Sequence, residues 1–214
     1  MNPITVLPDV EIKESGEFSK IFLQQGIHSF QSACRQVKAM TYGANSDSTQ
    51  SKLLFEENQG TCSTKHGAIA HLAQELKLPV YKNLGFYRLN DTIVTGVNDI
   101  IKPYGISYIP QIHCFLGYEN YRVDLTEGNC NGKNQTIDDY DFIVQVQPDP
   151  SSEEKLACYL STLRRYFEFA PELKAVGEEK VLEILEECDG KAFPAENRQI
   201  SYQCSIMANK LQHA

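Results

Sequence analysis

The stretch GTCSTKHGAIAHLAQEL, from Gly60 to Leu76, decides the fold, because it joins a strong helix pattern to a cysteine near its start. Its apolar residues recur at positions i, i+3, i+4 and i+7, which is typical of an amphipathic helix; they are Ile69, Leu72, Ala73 and Leu76. Thr61 is a suitable N-cap, and Pro79 ends the pattern. Cys62 is therefore predicted to lie in the first helical turn. A cysteine there is either a nucleophile or one more small buried side chain.

The segments on either side of this helix predict an α+β fold. Aromatic and β-branched residues, interrupted by Gly, Asn and Asp, predict five strands after the helix: PVYKNLGFYRL, YGISYIP, QIHCFLG, YRVDLT and DFIVQVQ. A helix is expected before it, from Glu17 to about Met40, with Gly26 as a weak point. Two more helices follow PDPSSEEK. This order predicts a helix, a mostly antiparallel sheet and further helices. We expect a domain over residues 1–148, with its N-terminal helix, and a helical extension over 149–214 packed on the same core.

Length, charge and hydropathy restrict the classes of protein to consider. The 214 residues suffice for one core, and 42% hydrophobic with 22% charged residues is an ordinary globular balance. A net charge of -8, from 20 basic and 28 acidic residues, disfavours nucleic acid and anionic membranes as partners. There is no apolar run of about 18 residues and no signal-peptide pattern at the N-terminus. The expectation is a cytoplasmic protein that acts on no nucleic acid and no membrane.

The cysteines do not form a recognisable disulfide or metal pattern. There are seven, an odd number, at irregular spacing and without a C-x-x-C pair, which disfavours a disulfide framework. His113, Cys114 and Cys130 lack the tight second pair of a zinc site. We therefore predict neither a metal nor a cofactor, and interpret most cysteines as small buried side chains.

The hairpin QIHCFLGYENYRVDLT, from Gln111 to Thr126, can bring a histidine and a carboxylate together. If a four-residue loop connects Leu116 to Tyr121, His113 lies directly opposite Asp124. Opposed residues of antiparallel strands share a face, with Cβ atoms about 4.5–5.5 Å apart. A carboxylate at that distance can fix the imidazole tautomer and leave the other ring nitrogen as a base. A register slip of one residue would send the two side chains to opposite faces.

Cys62 supplies the nucleophile that such a pair would serve. Unpaired N–H groups and the positive end of the helix dipole favour a thiolate, which lowers the thiol pKa from about 8.5. The backbone N–H of Cys62 could also provide half of an oxyanion hole. The small neighbours Gly60, Thr61 and Ser63 leave room for a substrate.

Cys62, His113 and Asp124, in this order, resemble the transglutaminase-like superfamily of papain-related proteins. Its members include transglutaminases, peptide N-glycanases, bacterial transglutaminase-like proteases and, more distantly, arylamine acetyltransferases. The resemblance covers about Gly60 to Thr126 and rests on three motifs. These are the Gly-x-Cys turn that opens the Cys helix, an aromatic residue two positions after the His (Phe115), and the Asp-x-Thr that ends the Asp strand.

The resemblance implies a fold, an activity and roles for three residues. The implied fold is a Cys-bearing helix packed on an antiparallel sheet, with flanking N- and C-terminal helices. Cys62 would be the nucleophile, His113 the general acid/base and Asp124 the orienting carboxylate. The implied activity is the cleavage or transfer of an amide or peptide acyl group of a peptide, protein or small amide. The alternative is a non-catalytic member of the superfamily that binds a protein partner.

Three residues near Cys62 have roles that the sequence leaves open. Ser63 stands where many members carry an aromatic residue, and the absence of Trp excludes an indole oxyanion donor. Gln59 is the candidate side-chain donor, although it could equally be a solvated loop residue. His66, four positions after Cys62 on the same helix face, is a rival base. Because no orienting carboxylate is evident for His66, we predict a supporting role for it.

Overall fold

The computed structural model describes residues 3–127 and 131–192. Within them the helices are α1 (Glu17–Gln24), α2 (Phe30–Ala39), α3 (Leu53–Glu56), α4 (Cys62–Glu75), α5 (Val97–Ile101), α6 (Ser152–Tyr166), α7 (Pro171–Val176) and α8 (Glu178–Ala192). The strands are β1 (Thr41–Tyr42), β2 (Gln59–Gly60), β3 (Tyr81–Leu89), β4 (Ile109–Tyr118), β5 (Tyr121–Val123) and β6 (Phe142–Gln145). Short 3-10 turns occupy Ile4–Val6 and Lys102–Tyr104. The α+β class predicted from the sequence is confirmed.

The main sheet has four strands in the order β5-β4-β3-β6. Strands β4 and β5 are antiparallel neighbours, whereas β1 and β2 form a separate two-stranded parallel pair just before α4. The prediction of two separate strands in YGISYIP and QIHCFLG was wrong, because the single strand β4 runs without interruption from Ile109 to Tyr118. None of the helices in the described ranges is both long enough and apolar enough to cross a membrane.

The register of the β4–β5 hairpin differs from the predicted one by two residues. Tyr118 pairs with Tyr121 and Leu116 with Val123, so the loop contains only Glu119 and Asn120. Glu119 adopts a positive φ of 50°, a conformation that glycine or asparagine usually supplies in such turns. The predicted four-residue loop was wrong for this reason. A shift of two residues preserves the face of each side chain, so His113 and Asp124 become diagonal rather than direct neighbours on one face.

The single N-terminal helix predicted from Glu17 to Met40 was also wrong, because two helices occupy this segment. The chain leaves the helical conformation at Gly26, whose φ is +74°, and the Gly26 N–H donates to the Leu23 carbonyl. Ser29 then caps the second helix by accepting a hydrogen bond from the Ser32 N–H. Gly26 therefore ends one helix, and Ser29 begins the next.

Contacts divide the chain into two compact units. The first contains residues 1–85, 113–131 and 143–150, and the second contains residues 86–112, 132–142 and 151–214. The apolar core of the first unit joins α1, α2 and α4 to the β4–β5 hairpin, and includes Phe22, Phe30, Ile69 and Leu116. The division into 1–148 and 149–214 stays a prediction, and residues 193–214 of that extension lie outside the described part of the chain.

Helix α4 holds the neighbouring helices of the first unit through two charged side chains. The Glu75 carboxylate accepts the backbone N–H groups of Phe18 (2.9 Å) and Ser19 (2.7 Å), which open α1. The buried Lys65 ammonium donates to the carbonyls of Met40 and Lys38 at the end of α2. Each charge complements the dipole of the helix end that it contacts. Burial lowers the pKa of Lys65 to about 8, despite the opposing charge of Asp124.

Candidate active site

Cys62 is the first residue of α4, as the sequence predicted. Thr61 is the N-cap, and its hydroxyl accepts the Ser63 N–H at 3.3 Å. Cys62 is partly exposed, whereas Ser63, Thr64 and His66 are buried. The helix start therefore presents the cysteine side chain at an accessible position. Elsewhere in the described residues, Cys34, Cys114 and Cys188 are buried and Cys158 is partly exposed, while Cys130 and Cys204 lie outside them.

A buried asparagine fixes the chain that leads into this helix. Asn45 donates to the Gln59 carbonyl (2.7 Å) and to the Glu57 carboxylate (2.8 Å), and it accepts from the Thr64 hydroxyl (2.7 Å). Gly60 packs closely beside it: a Cβ there would lie 2.6 Å from atoms of both Leu54 and Thr64, and would displace the Thr64 hydroxyl that donates to Asn45. No local sequence pattern indicates that Asn45 is buried against α4.

His113 and Asp124 form a buried pair. His113 Nε2 lies 2.8 Å from Asp124 Oδ2, and both side chains are almost fully shielded from solvent. An ionised carboxylate can only accept hydrogen bonds, so Nε2 carries the proton and Nδ1 is the basic nitrogen of the ring. This is the tautomer that a general base requires when a carboxylate orients it.

The surroundings of Asp124 keep its carboxylate ionised. Burial alone would raise the pKa of Asp124, but His113, with a smaller contribution from His66, and the Thr126 hydrogen bonds hold that pKa well below its usual range. The second carboxylate oxygen accepts both the backbone N–H and the hydroxyl of Thr126, each at 2.7 Å. The threonine of the Asp-x-Thr motif therefore orients the carboxylate.

His66 connects the cysteine helix to the segment that carries Asp124. Its Nδ1–H donates to the Cys62 carbonyl at 2.7 Å, and its Nε2 accepts the Leu125 N–H at 2.8 Å. Burial lowers the pKa of His66 to about 4, although the negative charge of Asp124 opposes that shift. The ring is thus neutral, with both nitrogens engaged in these bonds. This geometry favours the supporting role predicted for His66 over a role as base.

The same side chain brings the three candidate catalytic residues into one cluster. The His66 ring lies with its centroid 6.3 Å from that of His113, at an interplanar angle of 83°. It is also hydrogen-bonded to the main chain of Cys62 and of the residue after Asp124. All four residues belong to the first compact unit. Leu125 is the participant that sequence reasoning missed, because it contributes only its backbone N–H.

The remaining predicted residues lie around this cluster with other contacts of their own. Gln59 is in β2, and its side-chain amide donates to the Ala44 carbonyl at 2.6 Å, which engages one of its two N–H bonds. The Ser63 hydroxyl lies 3.4 Å from the Ser48 carbonyl and 3.3 Å from Lys82 Nζ. Phe115 is buried on β4. An oxyanion role for Gln59 stays a prediction.

Comparisons with known proteins do not indicate a function for this chain, so a function can be inferred only from the geometry of the site. Searches of protein-family models, of curated proteins and of solved structures found no match to this chain. Over residues 3–127 and 131–192, no group of three or more His, Cys, Asp or Glu side chains is arranged to hold a metal ion. What the cluster can do chemically therefore has to be argued from Cys62, His113 and Asp124 themselves.

The buried neutral state of His66 predicts an acid-dependent loss of stability. The pKa of His66 is about 4 in the folded chain, against the usual 6.5 of a histidine in the unfolded chain, so between these pH values the unfolded chain binds the extra proton. The neutral His66 therefore contributes to the free energy of unfolding. This contribution is fully present above pH 6.5 and is lost as the pH falls towards 4. Its total is about 3 kcal/mol. Urea unfolding from pH 4 to 8 is expected to show a shallower pH dependence for His66→Asn than for the wild type.

The control for this measurement is His28→Asn, which removes an exposed histidine from the segment that connects α1 to α2. It is expected to retain the wild-type slope. Equal slopes for the wild type and His66→Asn would contradict the neutral state assigned to His66.

Proposed function

We propose that this chain is a transglutaminase-like cysteine enzyme that cleaves or transfers an amide or peptide acyl group through Cys62, His113 and Asp124. The observation that carries the proposal is the buried His113–Asp124 hydrogen bond of 2.8 Å, which His66 ties to the first residue of α4. A peptide, protein or small amide as substrate, and a cytoplasmic location, belong to the same proposal.

The proposed reaction begins with transfer of the Cys62 thiol proton to His113 Nδ1. The thiolate attacks the substrate carbonyl carbon, and a C–S bond forms as the carbonyl electron pair moves to oxygen. That oxyanion develops beside the N-terminus of α4, where backbone N–H groups and the helix dipole favour negative charge. When the tetrahedral intermediate collapses, the C–N bond breaks and the imidazolium gives its proton to the leaving amine.

The resulting thioester is then resolved by a second nucleophile. Water, or an amine in the case of transfer, attacks the thioester carbonyl while His113 accepts the proton of the nucleophile. Collapse releases the product and regenerates the Cys62 thiolate beside the protonated His113, the state in which the thiolate first attacked. Asp124 stays ionised throughout and stabilises the imidazolium form of His113 in both halves of the reaction.

An activated ester tests this proposal without knowledge of the natural substrate. After reaction with p-nitrophenyl acetate, acid quenching and peptide mapping by mass spectrometry, we expect the acetyl group on Cys62. Cys158 is the matched internal control, because it is also partly exposed but burial raises the pKa of its thiol. Cys62→Ala is expected to abolish the acylation, and Cys158→Ala to leave it unchanged.

Equal acetylation of Cys62 and Cys158 would contradict the proposal. It would favour the alternative, in which the domain binds a protein partner without catalysis.

A further inference from the structure

A second buried lysine lies at the start of the cysteine helix. Lys82 is on β3, with 1% of its surface exposed, and its ammonium contacts three oxygen atoms. These are the Ser63 carbonyl at 2.8 Å, the Ser63 hydroxyl at 3.3 Å and the Pro148 carbonyl at 2.7 Å. Ser63 follows Cys62 directly, so the charge of Lys82 lies one residue away from the candidate nucleophile along α4.

The three contacts are those that a charged ammonium makes. An ammonium has three N–H donors and no acceptor, and each of the three oxygen atoms can accept one of them. The Ser63 hydroxyl donates its own proton to the Ser48 carbonyl at 3.4 Å, so towards Lys82 it acts as an acceptor, and a neutral amine has no third N–H to donate to it. In the described part of the chain, no carboxylate lies within ion-pair distance of Lys82.

The position of the Lys82 charge does not stabilise the fold. Lys65, the other buried lysine of the same unit, contacts the carbonyl end of α2, where the helix dipole is negative and attracts a cation. Lys82 instead contacts the first turn of α4, where the dipole is positive. A buried cation without a counter-charge, placed at a positive helix end, costs free energy unless an anion forms nearby.

We propose that Lys82 is a positioning residue whose positive charge holds Cys62 in its thiolate form. This inference rests on the proposed function, because it assigns the missing anion to the nucleophile of that reaction. Lys82 does not contact the substrate, since its three N–H donors are engaged within the protein. It acts through the electrostatic potential at the start of α4.

Other titratable groups also surround the start of this helix. On α4 they are Lys65 and the neutral His66, and on the β4–β5 hairpin and the segment after it they are His113 and Asp124. Glu57 precedes the helix and is held by Asn45 and Ser46. Asp149 follows Pro148, which contacts Lys82, and its carboxylate is hydrogen-bonded to His71 and Ser51. Asp124, Glu57 and Asp149 are anions that oppose a thiolate. Lys82 therefore offsets negative charge that would otherwise keep the Cys62 thiol protonated.

The pH dependence of Cys62 alkylation tests the inference. Iodoacetamide rates at Cys62 are measured by peptide mapping from pH 4 to 10 in the wild type, Lys82→Gln and Lys82→Met. Loss of a buried unit charge at the start of α4 should raise the midpoint of the alkylation profile by about one pH unit, which lowers the rate about tenfold on the acid side. Thermal unfolding in parallel identifies variants that retain the native transition.

The two neutral variants separate charge from hydrogen bonding. Glutamine retains two N–H donors whereas methionine retains none, so the charge account predicts the same raised midpoint in both. A wild-type midpoint in Lys82→Gln would overturn the inference. If neither variant folds, Lys82→Arg is measured instead: a wild-type midpoint supports the charge account, and a midpoint raised by one unit overturns it.

This experiment distinguishes failure of the inference from failure of the proposed function. If wild-type Cys62 is alkylated no faster than Cys158 near neutral pH, the proposed function itself fails. If Cys62 is reactive and its midpoint does not depend on the charge at Lys82, only the inference fails.

Discussion

Replacing Asp124 with alanine is expected to lower the rate constant for acylation of Cys62 by about 10²–10⁴-fold, the range that a positioned acid/base contributes. Without the carboxylate, His113 loses the acceptor that fixes its tautomer and the charge that stabilises its protonated form. The same change leaves three buried donors, His113 Nε2–H and the N–H and O–H of Thr126, without their acceptor. It should therefore also destabilise the fold by about 3 kcal/mol or more.

The matched control for this variant is Asp149→Ala. The Asp149 carboxylate is also hydrogen-bonded to a histidine, His71, at 3.0 Å and to the Ser51 N–H at 3.0 Å, but this pair is not part of the proposed Cys62–His113–Asp124 site. Acylation by p-nitrophenyl acetate and urea unfolding are measured on both variants. We expect Asp149→Ala to lose stability and to acylate within about threefold of the wild type. A similar loss of acylation in the two variants would show that instability, and not loss of the orienting carboxylate, explains the Asp124 result.

Replacing Gly67 with alanine is expected to destabilise the fold by about 2–3 kcal/mol, even though alanine is normally the better helix former by about 1 kcal/mol. A Cβ at Gly67 would overlap the Ser51 hydroxyl oxygen, and would lie 2.8 Å from the Pro148 carbonyl oxygen and 3.0 Å from the Asp149 carboxylate. Ser51 cannot move aside easily, because its backbone and hydroxyl are both hydrogen-bonded to Asp149. Pro148 contributes backbone, which cannot rotate away.

Urea unfolding of Gly67→Ala, Ser51→Gly and the double variant checks this explanation. Ser51→Gly removes the closest atom, so the double variant should be less destabilised than the sum of the two single changes. Additive effects would contradict a clash with Ser51, and a Gly67→Ala variant that is more stable than the wild type would contradict a steric origin.

The pairing of His113 with Asp124 could be predicted because side chains alternate between the two faces of a hairpin, so that a register shift of two residues leaves each side chain on its face. The four-residue loop was wrong, but the correct loop is shorter by two residues and keeps both side chains on one face. Turn preferences did not reveal the true loop, since Glu119 carries the positive φ that glycine or asparagine normally adopts. The amphipathic pattern and Thr61 were sufficient to place Cys62 at the start of its helix.

The contacts that the sequence did not reveal all depend on distant parts of the chain. His66 accepts from the backbone of Leu125, 59 residues away, and no spacing rule indicates such a bond. A lysine in a sequence is normally interpreted as a solvated side chain. Lys65 and Lys82 are instead both buried against backbone carbonyls. Local patterns therefore predicted the candidate nucleophile, base and carboxylate, whereas tertiary packing determines the charges around them.

The central claim is that Cys62 is a nucleophile served by His113, and the site of acylation tests it most directly. In a rapid-mixing experiment with p-nitrophenyl acetate, we expect a burst of p-nitrophenolate approaching one equivalent per chain in the wild type, with the acetyl group mapped to Cys62. His113→Ala should reduce the burst rate constant at least about 100-fold, and Cys62→Ala should abolish the burst. A burst that survives in Cys62→Ala, or an unchanged burst rate in His113→Ala, would contradict the claim.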